Sequence, residues 1–219
     1  MPIWAWALAA VAVGLLAYLM FYATSASKDD GYAVLKGSEK GGKMWTSQVV
    51  LPRSFNEKEG AVYSWTSWLY VKNFSAGFGA RRRIFSKGDA PGLYFDSTSN
   101  SLILVVNTYG SVPETILVSN IPAMKWIHVA VVVDQTAVSI YINGTLRLYH
   151  TLTNLPKPND SKVEFGSQWD GVIGNVKYYP RALTNAEVFL KSSESPPPDL
   201  ATKPASGSYF DMTWYTGRI

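Results

Sequence analysis

The chain has 219 residues, of which 47% are hydrophobic and none is cysteine. Without thiols it has neither a disulfide framework nor a thiolate metal site, which fits a reducing compartment without excluding an oxidising one. The formal charge of +4 is spread along the chain, and so weak an excess gives no reason to expect nucleic acid as a partner.

Residues 3–23 contain no charged side chain. At about 1.5 Å per residue, a helix of about 20 residues covers the roughly 30 Å hydrocarbon core of a bilayer. Trp4 and Trp6 stand near one end of the run and Tyr18 and Tyr22 near the other, where interfacial aromatics belong. Residues 1–24 are therefore expected to form a single transmembrane anchor. A cleaved secretory signal is the alternative, with small residues at Ala23-Thr24-Ser25-Ala26. Against it, no Lys or Arg precedes the run, which outlasts the roughly 7 to 15 residues of a signal core. Lys28, Lys36, Lys40 and Lys43 follow the run, so the globular part is expected on the cytosolic face.

Residues 25–44 contain Lys28-Asp29-Asp30-Gly31 and Gly37-Ser38-Glu39-Lys40-Gly41-Gly42-Lys43, the composition of a flexible spacer. Strand signals fill residues 45–194. Leu102-Ile103-Leu104-Val105-Val106 and Thr115-Ile116-Leu117-Val118 are separated by a polar turn. Residues 126–134 and 138–142 are runs of β-branched and aromatic residues, and the second runs into Asn143-Gly144, where both residues tolerate positive φ. Lys162-Val163-Glu164-Phe165-Gly166 follows. Short strands joined by Gly, Asn and Pro turns predict an all-β antiparallel sandwich. One helix is predicted after Thr184-Asn185-Ala186-Glu187, which has capping-box spacing and leads into Val188-Phe189-Leu190. Residues 195–219 begin Ser195-Pro196-Pro197-Pro198 and carry Tyr209, Phe210, Trp214 and Tyr215. A disordered tail is usually poor in aromatics, so this one is expected to lie extended against its own sandwich or a partner, with the four rings as anchors.

The order of residues 126–134, of Tyr141-Ile142-Asn143-Gly144, and of Gly171-Val172-Ile173 running to Arg181-Ala182-Leu183 resembles the laminin G-like (concanavalin A-like lectin/glucanase) jelly roll. In that family a tryptophan-led strand, a Tyr-x-Asn-Gly hairpin and a Gly-x-Ile strand ending in Arg-Ala-Leu recur together. The resemblance extends upstream: residues 63–71, with Trp65 and Trp68, look like its early core strand and residues 84–89, with Lys87, Gly88 and Asp89, like the next. It covers roughly residues 45–194 and implies mainly structural roles for these residues and for Trp126, His128, Tyr141, Asn143, Gly144, Gly171 and Asn175. Residues 91–102 look most like versions in virion proteins of large DNA viruses. Many relatives carry aspartate where this chain has Gly174-Asn175, so a charge-dependent role is not carried over there.

Catalytic chemistry is not expected. Glycosidases of the superfamily place carboxylates as Glu-x-Asp-x-x-Glu on one strand face, and that spacing does not occur here. Glu57 and Glu59 flank a lysine and precede Gly60, as in a polar turn. His128 and His150 lie in strand-like runs, where a hydrogen-bonded structural histidine is expected and not a general base. Some laminin G-like domains bind calcium, so Asp89, Asp96, Asp134, Asp160 and Asp170 are the residues to inspect, although aspartate is also a common turn residue. No cofactor is required. Arg81-Arg82-Arg83 with Lys87 is the densest positive cluster, available to lipid head groups or an acidic partner. Three acceptor patterns for N-glycosylation occur, at Asn73, Asn143 and Asn159, and would stay unmodified in the cytosol. Trp126 is expected to be a core aromatic. The expected function is a non-enzymatic, membrane-anchored virion protein that docks on capsid or neighbouring virion proteins at the inner membrane. A membrane-anchored glycan-binding lectin is the alternative.

Overall fold

The computed structural model describes residues 11–16, 18, 30–54, 60–88 and 90–198. It divides into two compact units, residues 1–31 and 32–219. In the first, residues 11–16 and 18 are helical, and most of the apolar run of residues 3–23 lies outside the described residues. Among the described residues no helix is long and apolar enough to cross a membrane.

The second unit is a sandwich of two six-stranded sheets with every neighbouring pair antiparallel. Its strands are β1 (Tyr32–Lys40), β2 (Trp45–Thr46), β3 (Val62–Asn73), β4 (Arg82–Lys87), β5 (Gly92–Phe95), β6 (Leu102–Val106), β7 (Glu114–Val118), β8 (Trp126–Asp134), β9 (Ala137–Ile142), β10 (Thr145–Thr151), β11 (Val163–Phe165) and β12 (Asp170–Tyr179). One sheet runs β1-β12-β3-β8-β9-β10 and the other β2-β11-β4-β5-β6-β7. One short helix, Asn185–Ser192, follows β12. This is the all-β antiparallel sandwich that the strand spacing predicts, in the jelly-roll-like form that the family resemblance implies.

Alternation decides which side chains enter the core. On β8, Ile127, Val129, Val131 and Val133 point between the sheets, where they meet Trp65, Leu69, Phe85 and Phe165. Each such side chain contributes about 1.5–3 kcal/mol by leaving water. Among the described residues the core draws on nothing before Val34. The opposite face of β8 is also buried, because the helix lies over it: Val188 packs with Ala130, Val132, Tyr141 and Tyr179. Both faces are covered, so β8 reads as one continuous apolar run. The helix starts on the predicted capping box, with Thr184 Oγ1 accepting from Glu187 N at 3.3 Å and Glu187 Oε2 accepting from Thr184 N at 2.8 Å. Arg181 Nη2 pairs with Glu187 Oε1 at 2.6 Å and fixes the turn into it.

The β9–β10 hairpin turns at Asn143 (φ 51°) and Gly144 (φ 77°), as their tolerance of positive φ predicts. Asn143 Oδ1 also accepts from His128 N at 2.9 Å. A Cβ on Gly144 would stand 2.4 Å from Ser192 Oγ, so the turn needs glycine for its packing under the helix as well.

One part of the expected organisation changes. Residues 32–40, expected within a flexible spacer, form β1, paired with β12 from Tyr32↔Tyr178 to Lys40↔Val172. Only Val34 and Leu35 of β1 are buried, and register shifts follow Ala33 and Leu35, so its composition does not look like a strand. The tail expected from residue 195 begins docked on the sandwich. Pro197 is buried where a Cβ on Gly174 would meet its Cγ at 2.3 Å, and Ser38 Oγ donates to Pro198 O at 3.4 Å. Tyr209, Phe210, Trp214 and Tyr215 lie outside the described residues.

Candidate functional site

A cavity of about 370 Å3 opens where β3 begins and β4 and β12 end. That is within the roughly 300–1,000 Å3 range of small-ligand sites. Tyr63, Trp65 and Tyr178 line its inner wall, and Arg53, Lys87 and Lys157 stand around it. The register explains the aromatic wall: Tyr63 and Trp65 share one face of β3, and Tyr178 of β12 is the Cα partner of Trp65. The Trp65 ring lies 5.0 Å from those of Tyr178 and Phe85.

All three inner-wall residues are more than nine-tenths buried, and all three carry donors. Trp65 Nε1 has no hydrogen-bond partner among the described residues, and neither phenol makes a hydrogen bond to another of them. Burial first, then the neighbouring Tyr178, pushes the Tyr63 phenol well above its usual range. For Tyr178 the order is burial and then Tyr32. Both phenols therefore stay protonated. Trp65 Nε1 is closed off from solvent, so the polar groups that this wall offers a ligand are the two phenol hydroxyls, each able to donate and to accept.

The cationic side is built from loops. Lys87 Nζ donates to Asn159 O, and burial lowers its pKa, opposed by Asp160. Asn159 Nδ2 donates back to Lys87 O at 3.1 Å and to Ala90 O. Gly88 takes φ +58°, and a Cβ there would stand 2.5 Å from Ser161 Oγ. Arg53 Nη2 pairs with Asp160 Oδ2 at 2.9 Å, and Lys157 is exposed. Asp89 lies outside the described residues.

The other motif residues lie away from this cavity. Trp68 and His128 pack edge-on at 5.1 Å on the outer face of the β1-β12-β3-β8-β9-β10 sheet. His128 is structural and buried, but Nδ1 lacks the hydrogen bond expected of it. Burial, then the charges of Lys191 and Lys177, lowers its pKa to about 4, so it is neutral. Tyr141 donates to Asn185 Oδ1 at 2.5 Å, Asn175 (φ 45°) accepts from Gly37 N at 3.0 Å, and Gly171 leaves room for Trp169. Trp126 is not a core residue. Alternation gives Ile127 the inward position, and Trp126 lies half-buried outside, 5.6 Å from Tyr70.

Arg81, Arg82 and Arg83 do not form one basic surface. Arg82 is buried, donating to Phe74 O, Ala76 O and Asp96 O between the faces of Phe74 and Phe95. Arg83 pairs with Glu164, and only Arg81 is exposed, over the Tyr94 ring. Strand alternation sends these neighbours to opposite faces.

The carboxylates are used structurally. Asp96 binds Ser99, Glu114 binds Thr153 and His150, and Asp170 binds Asn73. No group of three or more metal-ligating side chains occurs among the described residues. Glu57 and Glu59 lie outside them. Of the three glycosylation patterns, Asn143 and Asn159 have side chains engaged in turn and loop hydrogen bonds, and Asn73 Nδ2 donates to Asp170 Oδ2 at 2.9 Å.

A second recess, at the other end of the sandwich, is an open groove between Lys40, Lys43, Tyr70, Lys72 and Trp169. The family motifs supply Trp65 and Lys87 to the first recess and Gly171 to the second, but imply mainly structural roles for them. Tyr63, Trp65 and Tyr178 each read as core residues, and only the pairing of β3 with β12 shows that they meet at an opening.

A search of the curated proteins returns no match. Among solved structures, the receptor binding domain of botulinum neurotoxin D is 12% identical with a TM-score of 0.55, over 75% of this chain and 46% of that one. The binding domain of Paraclostridial Mosquitocidal Protein 1 is 16% identical at 0.53, over 75% and 46%. A structure reported for botulinum neurotoxin type C, whose cell entry is described as dependent on interaction with two ganglioside molecules, is 14% identical at 0.55, over 75% and 51%. The chain thus spans about half the length of these neighbours, and at such identities the likeness shows the fold. A laminin G-type sequence model, described as Concanavalin A-like lectin/glucanases superfamily, matches residues 41–189. The chain belongs to the concanavalin A-like lectin/glucanases superfamily.

Proposed function

We propose that this chain is a non-enzymatic binding module whose end cavity takes a glycan. The observation that carries the proposal is the inner wall: three aromatic rings with two phenol hydroxyls that have no hydrogen-bond partner among the described residues. A sugar offers such a wall both an apolar ring face and acceptor oxygens. Lys87, Lys157 and Arg53 favour a sugar carrying an anionic group. The neighbouring structures, described as receptor binding domains and in one case linked to gangliosides, support a glycan as the class. No metal or cofactor is needed.

Calorimetric titration against glycans selected on an array tests this. Tyr63→Phe with Tyr178→Phe removes two donors and keeps the rings, and is expected to weaken binding at least about tenfold with the melting point held. Undiminished affinity in that variant, or no glycan bound by the wild-type protein, would contradict the proposal.

The uncharged run of residues 3–23 favours a second reading: a membrane-tethered structural protein of a large DNA virus, facing capsid proteins from the inner membrane. The likeness of residues 91–102 to virion proteins supports it. Mass spectrometry of purified particles before and after detergent stripping tests it, and absence of the chain from the particles would end it.

A further inference from the structure

The end of the sandwich opposite the glycan cavity has a different chemistry. Met44, Phe78 and Met124 are 70%, 64% and 65% exposed there, on three separate loops. Met44 and Phe78 directly follow groove residues Lys43 and Gly77, and Met124 N donates to Val71 O beside Tyr70 and Lys72. Between them runs a single row across the outer sheet face, Lys40↔Val172↔Tyr70↔Trp126, fixed by the strand register. Lys40, Lys43, Lys72, Arg81 and Lys125 are all exposed around it. Glu39 pairs with Lys43, and Asp96 and Asp170, the latter lining the groove, keep their charge under hydrogen bonds from Ser99 and Asn73, so the exposed cations around the groove are Lys40, Lys72, Arg81 and Lys125.

We infer that this end docks on an anionic lipid surface. Scattered exposed apolar residues are ordinary, but three on neighbouring loop tips within a ring of cations are a combination that lipid matches in both parts. The two methionines and Phe78 enter the boundary between head groups and acyl chains. The half-buried Tyr70 and Trp126 sit at head-group level, and the lysines extend their ammonium groups to the phosphates. The groove itself, with the Trp169 ring closely covered by Gly41 and Gly171, leaves room for a head group beside Lys40 and Lys72. This inference is independent of the glycan cavity and of residues 3–23.

Vesicle flotation of residues 30–219, whose core is self-contained, is the test. Flotation is expected with phosphatidylcholine vesicles containing phosphatidylserine and not with phosphatidylcholine alone, and added salt should weaken it. Lys40→Glu with Lys72→Glu is expected to lower partitioning at least about tenfold. Met44→Ser with Phe78→Ser and Met124→Ser should do the same with unchanged melting, whereas Tyr63→Phe with Tyr178→Phe should float as wild type. No flotation of the wild-type domain, equal flotation on neutral vesicles, or full binding by either tip variant would overturn the inference.

Discussion

His128 is the residue whose chemistry is set most completely by where it sits. Its ordinary pKa of about 6.5 falls to about 4 in the fold, mainly through burial and then through Lys191 and Lys177. Above pH 6.5 both the folded and unfolded chains hold it neutral and it contributes nothing. As pH falls from 6.5 to 4 the unfolded chain takes up a proton that the folded chain refuses, so stability should drop by about 3 kcal/mol across that window. Melts from pH 7 to 4 check this, and His128→Gln should flatten the slope. Glu187, held at about 2 chiefly by Arg181, gives a separate loss below pH 4.5, because the stabilising ionised form disappears as pH falls. Trp126 and Ile127 are the paired test of strand phase. Ile127→Ala should cost about 2–5 kcal/mol, whereas Trp126→Ala, half-buried outside the core, should cost less than about 2 kcal/mol in a denaturant titration.

At the scale of elements, what the sequence announces and what it hides divide along physical lines. β8, β9 and the Asn143-Gly144 turn are legible because β-branched runs and positive-φ residues are local properties. The helix is legible from its capping box, and Thr184→Ala should lower stability by about 1 kcal/mol in thermal melts. β1 is not legible. It is an edge strand with a broken register, polar or exposed over most of its length, and it is held by β12, which the local sequence does not name. The basic run at Arg81-Arg82-Arg83 misleads for a related reason. A charge count cannot show that Arg82 points inward to three backbone carbonyls. Removing it as Arg82→Ala should cost about 3 kcal/mol, since those carbonyls lose a charged donor.

At the scale of the molecule, the jelly roll sets an aromatic cavity at one end and an apolar, cationic tip at the other. The fold itself could be read from strand spacing and family motifs. The cavity could not, because it exists only where β3 and β12 bring Tyr63, Trp65 and Tyr178 together with loops distant in sequence. Deleting residues 1–23 should leave the sandwich folded, with its melting transition unchanged, since its core begins at Val34. The central claim is that a glycan packs on the aromatic wall of that cavity and hydrogen-bonds its phenols. The most direct measurement follows the ring resonances of Tyr63, Trp65 and Tyr178 by nuclear magnetic resonance while a bound glycan is titrated in. Saturable shifts of these three rings are the predicted result. Glycan binding that leaves them unmoved and shifts Trp126 or Trp169 instead would contradict the account.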